Sequence, residues 1–494
     1  MSSGRARRAS HHRALALAAV AALLAGCTAG PDFHRPAPPA TTGYLHPSAV
    51  AAAAQTQAQA RDVQQLQLGA ELAGQWWQLF HSAQLNAVVR AALAASPTLL
   101  AANATLAQAR EQVNVARAAL LPSASASAGV QRSGSAPPGA AAPAAATLYS
   151  IGAAATYSPD VFGGTRRAVE QQLALAEYQR DELAAAYLTL TGDVVNEVLG
   201  IASTRLQIST TNELIAIDLK NLALTQREFA VGIATRADVL TAEAQLASDQ
   251  TQLPALQKQL DQAYDELAVL AGQTPASWKV QAFDIGQFTL PHTVPLSLPS
   301  RLVRQRPDIL AAEAQLHAAN AAVGVALAQE LPDITLSGSL TRQALQAADL
   351  FHRFDTPWGL GGSLAQPLFK GGALRAQARA ARDSLRAQAA TYRSTVLEAL
   401  GQVADDLWAL QYDAQLLTVD RHSEDVAFEA LQLQQQSYTV GTTTVLNLIA
   451  AQRTYAQARL GYVSAEVQQF EDSAGLLVAM GGGWWNDRLE ASAR

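Results

Sequence analysis

The chain has 494 residues, 15% charged and 6% aromatic, with a net charge of −6, nine histidines and one cysteine. A net negative chain lacks the concentrated Lys and Arg that nucleic-acid binding needs, and a lone cysteine excludes an intramolecular disulfide framework and any multi-cysteine metal site. Length suggests two or three compact domains, but abundant alanine with few aromatics suits long, closely packed helices better than several globular cores.

In chain order, residues 1–26 read as a lipoprotein signal peptide. Arg5, Arg7, Arg8 and Arg13 form a basic region and Ala14 to Ala25 an apolar one, too short to span a bilayer as a mature helix. Leu24-Ala25-Gly26-Cys27 fits the bacterial lipoprotein cleavage box, so Cys27 is expected to become the first mature residue and to carry a covalent lipid. Thr28, at the position where an acidic residue would retain a lipoprotein at the inner membrane, is compatible with the outer membrane. Cleavage removes four arginines and no acids, leaving 31 basic against 41 acidic residues. Residues 27–95 follow as an N-terminal, lipid-anchored segment.

From residue 96 the chain repeats itself. "SPTLLAANATLAQAREQVNVARAALLPSASAS" from Ser96 is answered by "RPDILAAEAQLHAANAAVGVALAQELPDITLS" from Arg306, at an offset of 210. "SPDVFGGTRRA" from Ser158 is answered by "AQPLFKGGALRA" from Ala365, and "FAVGIATRADVL" from Phe229 by "YTVGTTTVLNLI" from Tyr438. Repeat 1 therefore spans 96–272 and repeat 2 306–481, joined by a Pro-rich linker at 273–305 and followed by a tail at 482–494. Each repeat reads as a helix, a β-hairpin (about 122–159 and 332–367) and a long helical hairpin (about 164–272 and 372–481). No proline occurs between Pro159 and Pro254, or after Pro367, so two very long helices are permitted. Each rod ends at a Val-Gly turn, Val231-Gly232 and Val440-Gly441, where glycine takes the left-handed C-cap conformation. A new helix then starts at Thr235 with Asp238 three residues on, and at Thr444 with Asn447.

Before Gly163 and Gly371 the period switches to two. Tyr149, Ile151, Ala153, Ala155 and Tyr157 share one face of a strand, and Trp358, Leu360 and Leu364 one face of another. This is the apolar-out, polar-in pattern of a transmembrane β-barrel, with Tyr149, Tyr157 and Trp358 as membrane-interface aromatics near strand ends. Four strands cannot close a barrel, and open edges are not tolerated in lipid. Other copies of the chain must complete it; two, three or four copies would give eight, twelve or sixteen strands, and the pattern does not choose among them.

The lipobox followed by "GPDFHRP", "WWQLFHSAQL" from Trp76, "RQRPDILAAEAQL" from Arg304 and the paired Val-Gly turns resemble the TolC-like outer-membrane efflux proteins, in their lipidated NodT/OprM branch. The resemblance covers essentially the whole mature chain. It implies a mainly α fold with transmembrane β: a TolC-like α/β-barrel in which a homotrimer closes twelve strands in the outer membrane above a long periplasmic α-barrel. An equatorial domain is formed from the termini and the linker. The implied function is the exit duct of a tripartite RND efflux system, passing drugs or other small molecules from a periplasmic adaptor and an inner-membrane transporter to the outside. Carried over residue by residue, Cys27 matches the acylated cysteine, and Val231, Gly232, Ile233, Val440, Gly441 and Thr442 match the tips that meet the adaptor. Arg227, Arg236, Asp238, Tyr438 and Arg453 are periplasmic gate candidates. Thr443 and Ala450 stand where close relatives are expected to carry aspartate, which puts the familiar carboxylate gate in doubt.

The histidines are scattered, no HExxH or GxSxG pattern occurs, and "GLGG" at Gly359 lies inside a strand, so neither an enzyme, a metal site nor a cofactor is expected beyond the lipid on Cys27. Two rival readings remain: an outer-membrane channel for type I protein secretion, and a non-channel coiled-coil lipoprotein.

Overall fold

The computed structural model describes residues 28–41, 43–46, 64–135, 144–278, 282–352 and 357–486. The signal peptide, Cys27 and residues 487–494 lie outside the described residues. Along the chain come β1 (Gln65–Leu68), a 3-10 turn (Trp76–Phe80), α1 (Ala83–Ala95), α2 (Pro97–Ala118), β2 (Ser123–Ser135), β3 (Ala144–Tyr157), α3 (Gly164–Ala230) and α4 (Arg236–Leu270). Then follow β4 (Thr293–Leu296), α5 (Pro307–Ala328), β5 (Asp333–Ala344), β6 (Trp358–Ala365), α6 (Ala373–Thr439) and α7 (Val445–Ala479). The two repeats match closely: a 22-residue helix, two strands, a 67-residue helix and a 35-residue helix in each.

At 1.5 Å per residue, α3 and α6 are each about 100 Å long. Asp160 starts α3 by accepting from Thr165 N at 3.0 Å and Arg166 N at 2.8 Å, which satisfies two N–H groups that have no partner inside the helix. Pro97 and Pro307 open α2 and α5, whereas Pro254 sits in the interior of α4. It is exposed, so water can reach the carbonyl that its missing N–H leaves unpaired.

The chain forms two compact units, and they cut across both repeats instead of separating them. The first comprises residues 1–36, 105–180 and 311–393. Its strands form one antiparallel sheet in the order β2-β3-β5-β6, so that β3 of repeat 1 pairs with β5 of repeat 2 while β2 and β6 each keep one edge unpaired among the described residues. The register puts Val130, Tyr149, Arg342 and Ala344 on one face, and with them Ala126, Tyr157, Leu336, Leu340, Trp358, Leu360 and Leu364. Leu360 and Trp358 are largely exposed there. The alternation read from the sequence is therefore the alternation of the sheet, but β3 begins at Ala144, which leaves Tyr149 within the strand instead of near its end. Two charges share that face near Tyr149, Arg132 opposite Thr147 and Arg342 opposite Ile151, and Arg342 turns its guanidinium to Leu350 O at 3.1 Å.

The segment after Cys27 is a strap in this same unit. Ala29 N donates to Phe162 O at 2.8 Å, Phe33 stacks on His317 with centroids 4.3 Å apart, Asn320 donates to Pro31 O at 3.0 Å, and Arg35 pairs with Glu313. At its centre Arg167 is 7% exposed and donates to Asp32 and Glu170, each at 2.6 Å, and to Ala29 O at 3.1 Å. Burial opposes ionisation of Glu170, but hydrogen bonds from Arg167 and His317 outweigh it and its pKa falls.

The second unit comprises residues 37–104, 181–310 and 394–494. Here β1 pairs in parallel with β4 of the linker, and Trp76, Trp77 and Phe80 are buried against Tyr187, Val194, Val198, Leu267 and Leu477. A side chain such as Phe80 or Leu267, at 0% exposure, stabilises the fold by about 1.5–3 kcal/mol on leaving water. Gly481, Gly482 and Gly483 all take positive φ (90°, 61° and 69°), an angle closed to most other residues. They turn the chain after α7 so that Trp484 Nε1 donates to Gln305 O at 2.8 Å. The first residues of the expected tail are thus part of the core.

Candidate functional site

The two tips are built alike. After α3, Gly232 (φ 79°) donates to Phe229 O at 3.0 Å and Ile233 N to Glu228 O at 2.8 Å. After α6, Gly441 (φ 77°) donates to Tyr438 O at 3.1 Å and Thr442 N to Ser437 O at 2.9 Å. Both close the helix with a left-handed glycine, as the spacing predicts. They leave Val231, Ile233 and Val440 more than two-thirds exposed (71, 77 and 73%). Apolar side chains held at that exposure on a tight turn are suited to bury against a partner.

Beyond each turn the caps differ. Thr235 and Asp238 form a complete capping box, with Asp238 accepting from Thr235 N at 2.8 Å and from Thr235 Oγ1 at 2.7 Å. Those bonds pull the Asp238 pKa down. Its carboxylate is thus committed to the local cap, while remaining exposed. In repeat 2, Thr444 accepts from Asn447 N at 3.3 Å, and Asn447 Nδ2 donates to Thr443 Oγ1 at 3.1 Å. Arg227, Arg236 and Tyr438 are exposed near the same turns, Thr443 is half-buried and Ala450 exposed.

Arg453 is the gate candidate with a built environment. It lies eight residues into α7 and its side chain is 21% exposed. It forks onto Asp218 of α3, at 2.9 and 3.0 Å to the two carboxylate oxygens, and lies 2.6 Å from Asp249 of α4. Gln245, with its amide oxygen turned inward, accepts from the same guanidinium at 2.6 Å. Asp218 and Asp249 are 2% and 3% exposed. Burial raises the Asp218 pKa; burial also opposes ionisation of Asp249, but the bonds from Arg453 and Asp218 hold Asp249 down. One arginine of repeat 2 therefore ties together both helices of the repeat 1 hairpin. Asp218 and Asp249 carry no signal in the sequence, being 235 and 204 positions from Arg453.

A second polar cluster lies where α6 and α7 pack in the same unit. Asp413, 7% exposed, shares a hydrogen bond with Asp472, and its second oxygen has no partner. Burial first, then Asp472, push its pKa to about 7, and burial pushes Asp406 to about 6. No group of three or more His, Cys, Asp or Glu among the described residues is arranged to hold a metal ion. No single described helix is long and apolar enough to cross a membrane, which says nothing of the sheet.

Comparison with known proteins agrees with this architecture. The family model described as outer membrane efflux protein matches residues 88–273 and again 298–482, one match in each repeat. The pyoverdine export outer membrane protein OpmQ of Pseudomonas aeruginosa is 33% identical over 428 residues, 84% of this chain and 88% of that one. Nodulation protein T of Rhizobium leguminosarum bv. viciae is 30% identical over 475 residues, 96% of this chain and 94% of that one. Among solved structures, the outer-membrane channel OprN superposes with a TM-score of 0.82 at 26% identity, covering 93% of this chain and 100% of that one. The outer membrane protein VceC of Vibrio cholerae gives 0.74 at 27%, covering 84% and 100%. The chain belongs to the outer membrane efflux protein family, with a TolC-like fold, and its function is that of an efflux exit duct in the outer membrane.

Proposed function

We propose that three copies of the chain, lipidated at Cys27, close a twelve-stranded barrel and conduct small molecules delivered by a periplasmic adaptor and an inner-membrane RND-type transporter. The observation that carries the reading is the four-stranded sheet with β2 and β6 unpaired at its edges. In lipid those rows of N–H and C=O groups must be satisfied, and an even number of antiparallel strands per chain lets copies join in a ring without breaking the alternation. Trp358, Leu360 and Leu364 then face lipid, with Tyr157 at the end of β3 and Trp358 at the start of β6 supplying polarizable rings toward the interfaces.

The duct needs no catalytic group, and none of its proposed steps is chemical. Val231-Gly232-Ile233 and Val440-Gly441-Thr442 are the adaptor contacts. Arg453, with Asp218 and Asp249, is the gate tie: it holds α7 of repeat 2 against the repeat 1 hairpin, and opening releases it. Arg227, Arg236, Asp238 and Tyr438 lie exposed around the tip and meet the adaptor or neighbouring copies. The names of relatives, from pyoverdine export to toluene and antibiotic efflux, support small-molecule cargo over secreted protein. The test is native mass spectrometry of the protein extracted from outer membranes, followed by conductance in a planar bilayer. A trimer that conducts is expected; a stable monomer, or an oligomer without conductance, defeats the reading. Co-purification with an ABC exporter alone would favour type I secretion.

A further inference from the structure

In repeat 1 the first turns of the long helix are roofed by the strap. Asp32 and Ala29 O accept from Arg167 at 2.6 and 3.1 Å, and Glu170 accepts from its other side. Further along the same face, Gln171 and Tyr178 are half-buried and Ala174 is buried. The strap begins next to Cys27, so with the proposed lipid in place it brings that face a carboxylate and acyl chains together.

The strap lies on one such helix, and the chain has two. Aligning Gly163-Gly164 with Gly371-Gly372 sets Arg375 at the place of Arg167, and Arg379, Arg382 and Arg386 at the places of Gln171, Ala174 and Tyr178. At 100° per residue these four positions fall within about 60° of the helix surface, and all four are exposed. Ala378 stands where Arg167 has Glu170, and Asp383 is taken by Arg386 at 2.8 Å. From Lys370 to Arg393 six basic residues stand against that one acid, in a chain of net charge −6. Arg375, Arg379 and Arg382 have no side-chain hydrogen bond or ion pair among the described residues. Just before them, between β6 and α6, Leu368 and Phe369 are 93% and 88% exposed, whereas their counterparts Val161 and Phe162 are half-buried. Lys370, which follows, is an extra residue without a counterpart in repeat 1. An apolar group beside a cluster of cations is the combination that holds a surface to an anionic bilayer.

We propose that an anionic phospholipid of the periplasmic leaflet docks on this face, its phosphate held by Arg375, Arg379 and Arg382 and its acyl chains lying along Leu368 and Phe369. In repeat 2 a free lipid thus takes the place that the strap holds in repeat 1. This rests on the reading of the sheet as membrane-spanning and adds a lipid-binding site to it.

Depth agrees with this. The polar layer of a leaflet extends about 5–7 Å beyond the hydrocarbon. The three arginines lie within the first ten residues of α6, about 15 Å of helix. Helical side chains tilt toward the helix N-terminus, which for α6 is the end that follows β6, and long cationic side chains near a bilayer extend to its headgroups. The chemistry agrees as well, because guanidinium groups bind phosphate oxygens through parallel N–H bonds. The other source of an anion is a second copy. In the proposed ring the helix beside α6 would be the α2 that leads into the neighbour's β2, and α2 carries Arg110 and Arg117 against Glu111. A neighbour therefore adds to the positive charge instead of cancelling it.

The test titrates the full-length protein, purified in detergent from outer membranes, with dioleoylphosphatidylglycerol and with dioleoylphosphatidylcholine, and counts bound lipids by native mass spectrometry. The parent is expected to hold phosphatidylglycerol in preference. A cation beside an anionic lipid surface contributes about fivefold in affinity, so Arg375→Gln combined with Arg379→Gln and Arg382→Gln should weaken phosphatidylglycerol binding about a hundredfold and leave phosphatidylcholine unchanged. Arg375→Lys, Arg379→Lys and Arg382→Lys together should keep most of the preference. Arg90→Gln with Arg304→Gln, exposed in the second unit, should keep all of it. A parent that holds both lipids equally, or a triple glutamine variant that keeps the preference, overturns the docking while sparing the membrane-spanning sheet. Complete displacement of the lipid by inorganic phosphate does the same, since it marks a small-anion site. A chain recovered in the soluble fraction that binds neither lipid overturns both.

Discussion

Asp413 sets a measurable pH dependence on the helical part of the protein. It is buried, shares a hydrogen bond with Asp472, and titrates near pH 7 instead of the ordinary 3.8 because burial and the neighbouring carboxylate both disfavour its ionised form. The folded protein therefore holds a proton there that the unfolded chain releases. With the folded-state pKa raised, stability is highest below pH 3.8, declines as pH rises, and reaches its floor above about pH 7. Moving one carboxyl over that interval corresponds to on the order of 4 kcal/mol. Asp413→Asn keeps a donor toward Asp472 and cannot ionise, so it should stabilise the protein by a large part of that amount at pH 8.5 and by little at pH 4. Thermal melting of the purified protein in detergent at the two pH values reads this directly. A difference between variant and parent that is equal at both, or larger in acid, refutes the reasoning.

Arg453→Gln leaves Asp218 and Asp249 buried without their cation, and should destabilise the hairpin contact by about 3–5 kcal/mol while raising single-channel conductance in a bilayer; unchanged conductance would remove Arg453 from the gate. Gly232→Ala and Gly441→Ala place a Cβ at φ 79° and 77°, which should cost about 1–2 kcal/mol each and show as faster proteolysis at the tips in membrane-free extracts. Val231→Asp with Val440→Asp should abolish adaptor pull-down without moving the melting temperature; retained binding places the adaptor elsewhere. Cys27→Ser should lose incorporation of radiolabelled palmitate, and persistence of the label would move the lipid to another residue.

Most of the fold was legible because it is local or repeated. Proline-free runs, glycines at the tips and the Thr235–Asp238 spacing fix helix ends through short-range hydrogen bonds, and the 210-residue offset turns each weak strand signal into two. The β2 segment "SASASAGVQ" has little β propensity of its own; its strand is set by pairing along all of β3, a long-range cause. The cluster proposed as the gate was half legible. Arg453 stood out by position, but its meaning depends on carboxylates from α3 and α4 that only folding brings to it. Asp413 was invisible for a related reason, since a carboxylate on a mostly polar helix reads as solvated until α7 covers it. The strap is the sharpest case: "GPDFHRP" served as a resemblance, whereas its work is to neutralise and bury Arg167.

The gate tie proposed for Arg453 would also account for how the duct can stay shut and yet be opened. Parting Arg453 from its carboxylates during opening returns all three groups to water, so it costs less than deleting one of them. A charge-assisted hydrogen bond contributes about 1.5–3 kcal/mol net, and three copies opening together would forfeit about 5–9 kcal/mol. Holding a two-state equilibrium at one side rather than the other takes about 5.5 kcal/mol for a change from 1:99 to 99:1. In the proposed trimer the ties alone would therefore be sufficient to keep the resting tip closed, and a partner would have to supply differential binding of the same size to open it. Exposed Val231, Ile233 and Val440, once buried on each copy at about 1.5–3 kcal/mol per side chain, provide enough. On this arithmetic Arg453→Gln should conduct without adaptor, whereas the tip variants with an intact Arg453 should stay closed even when the adaptor is present in excess.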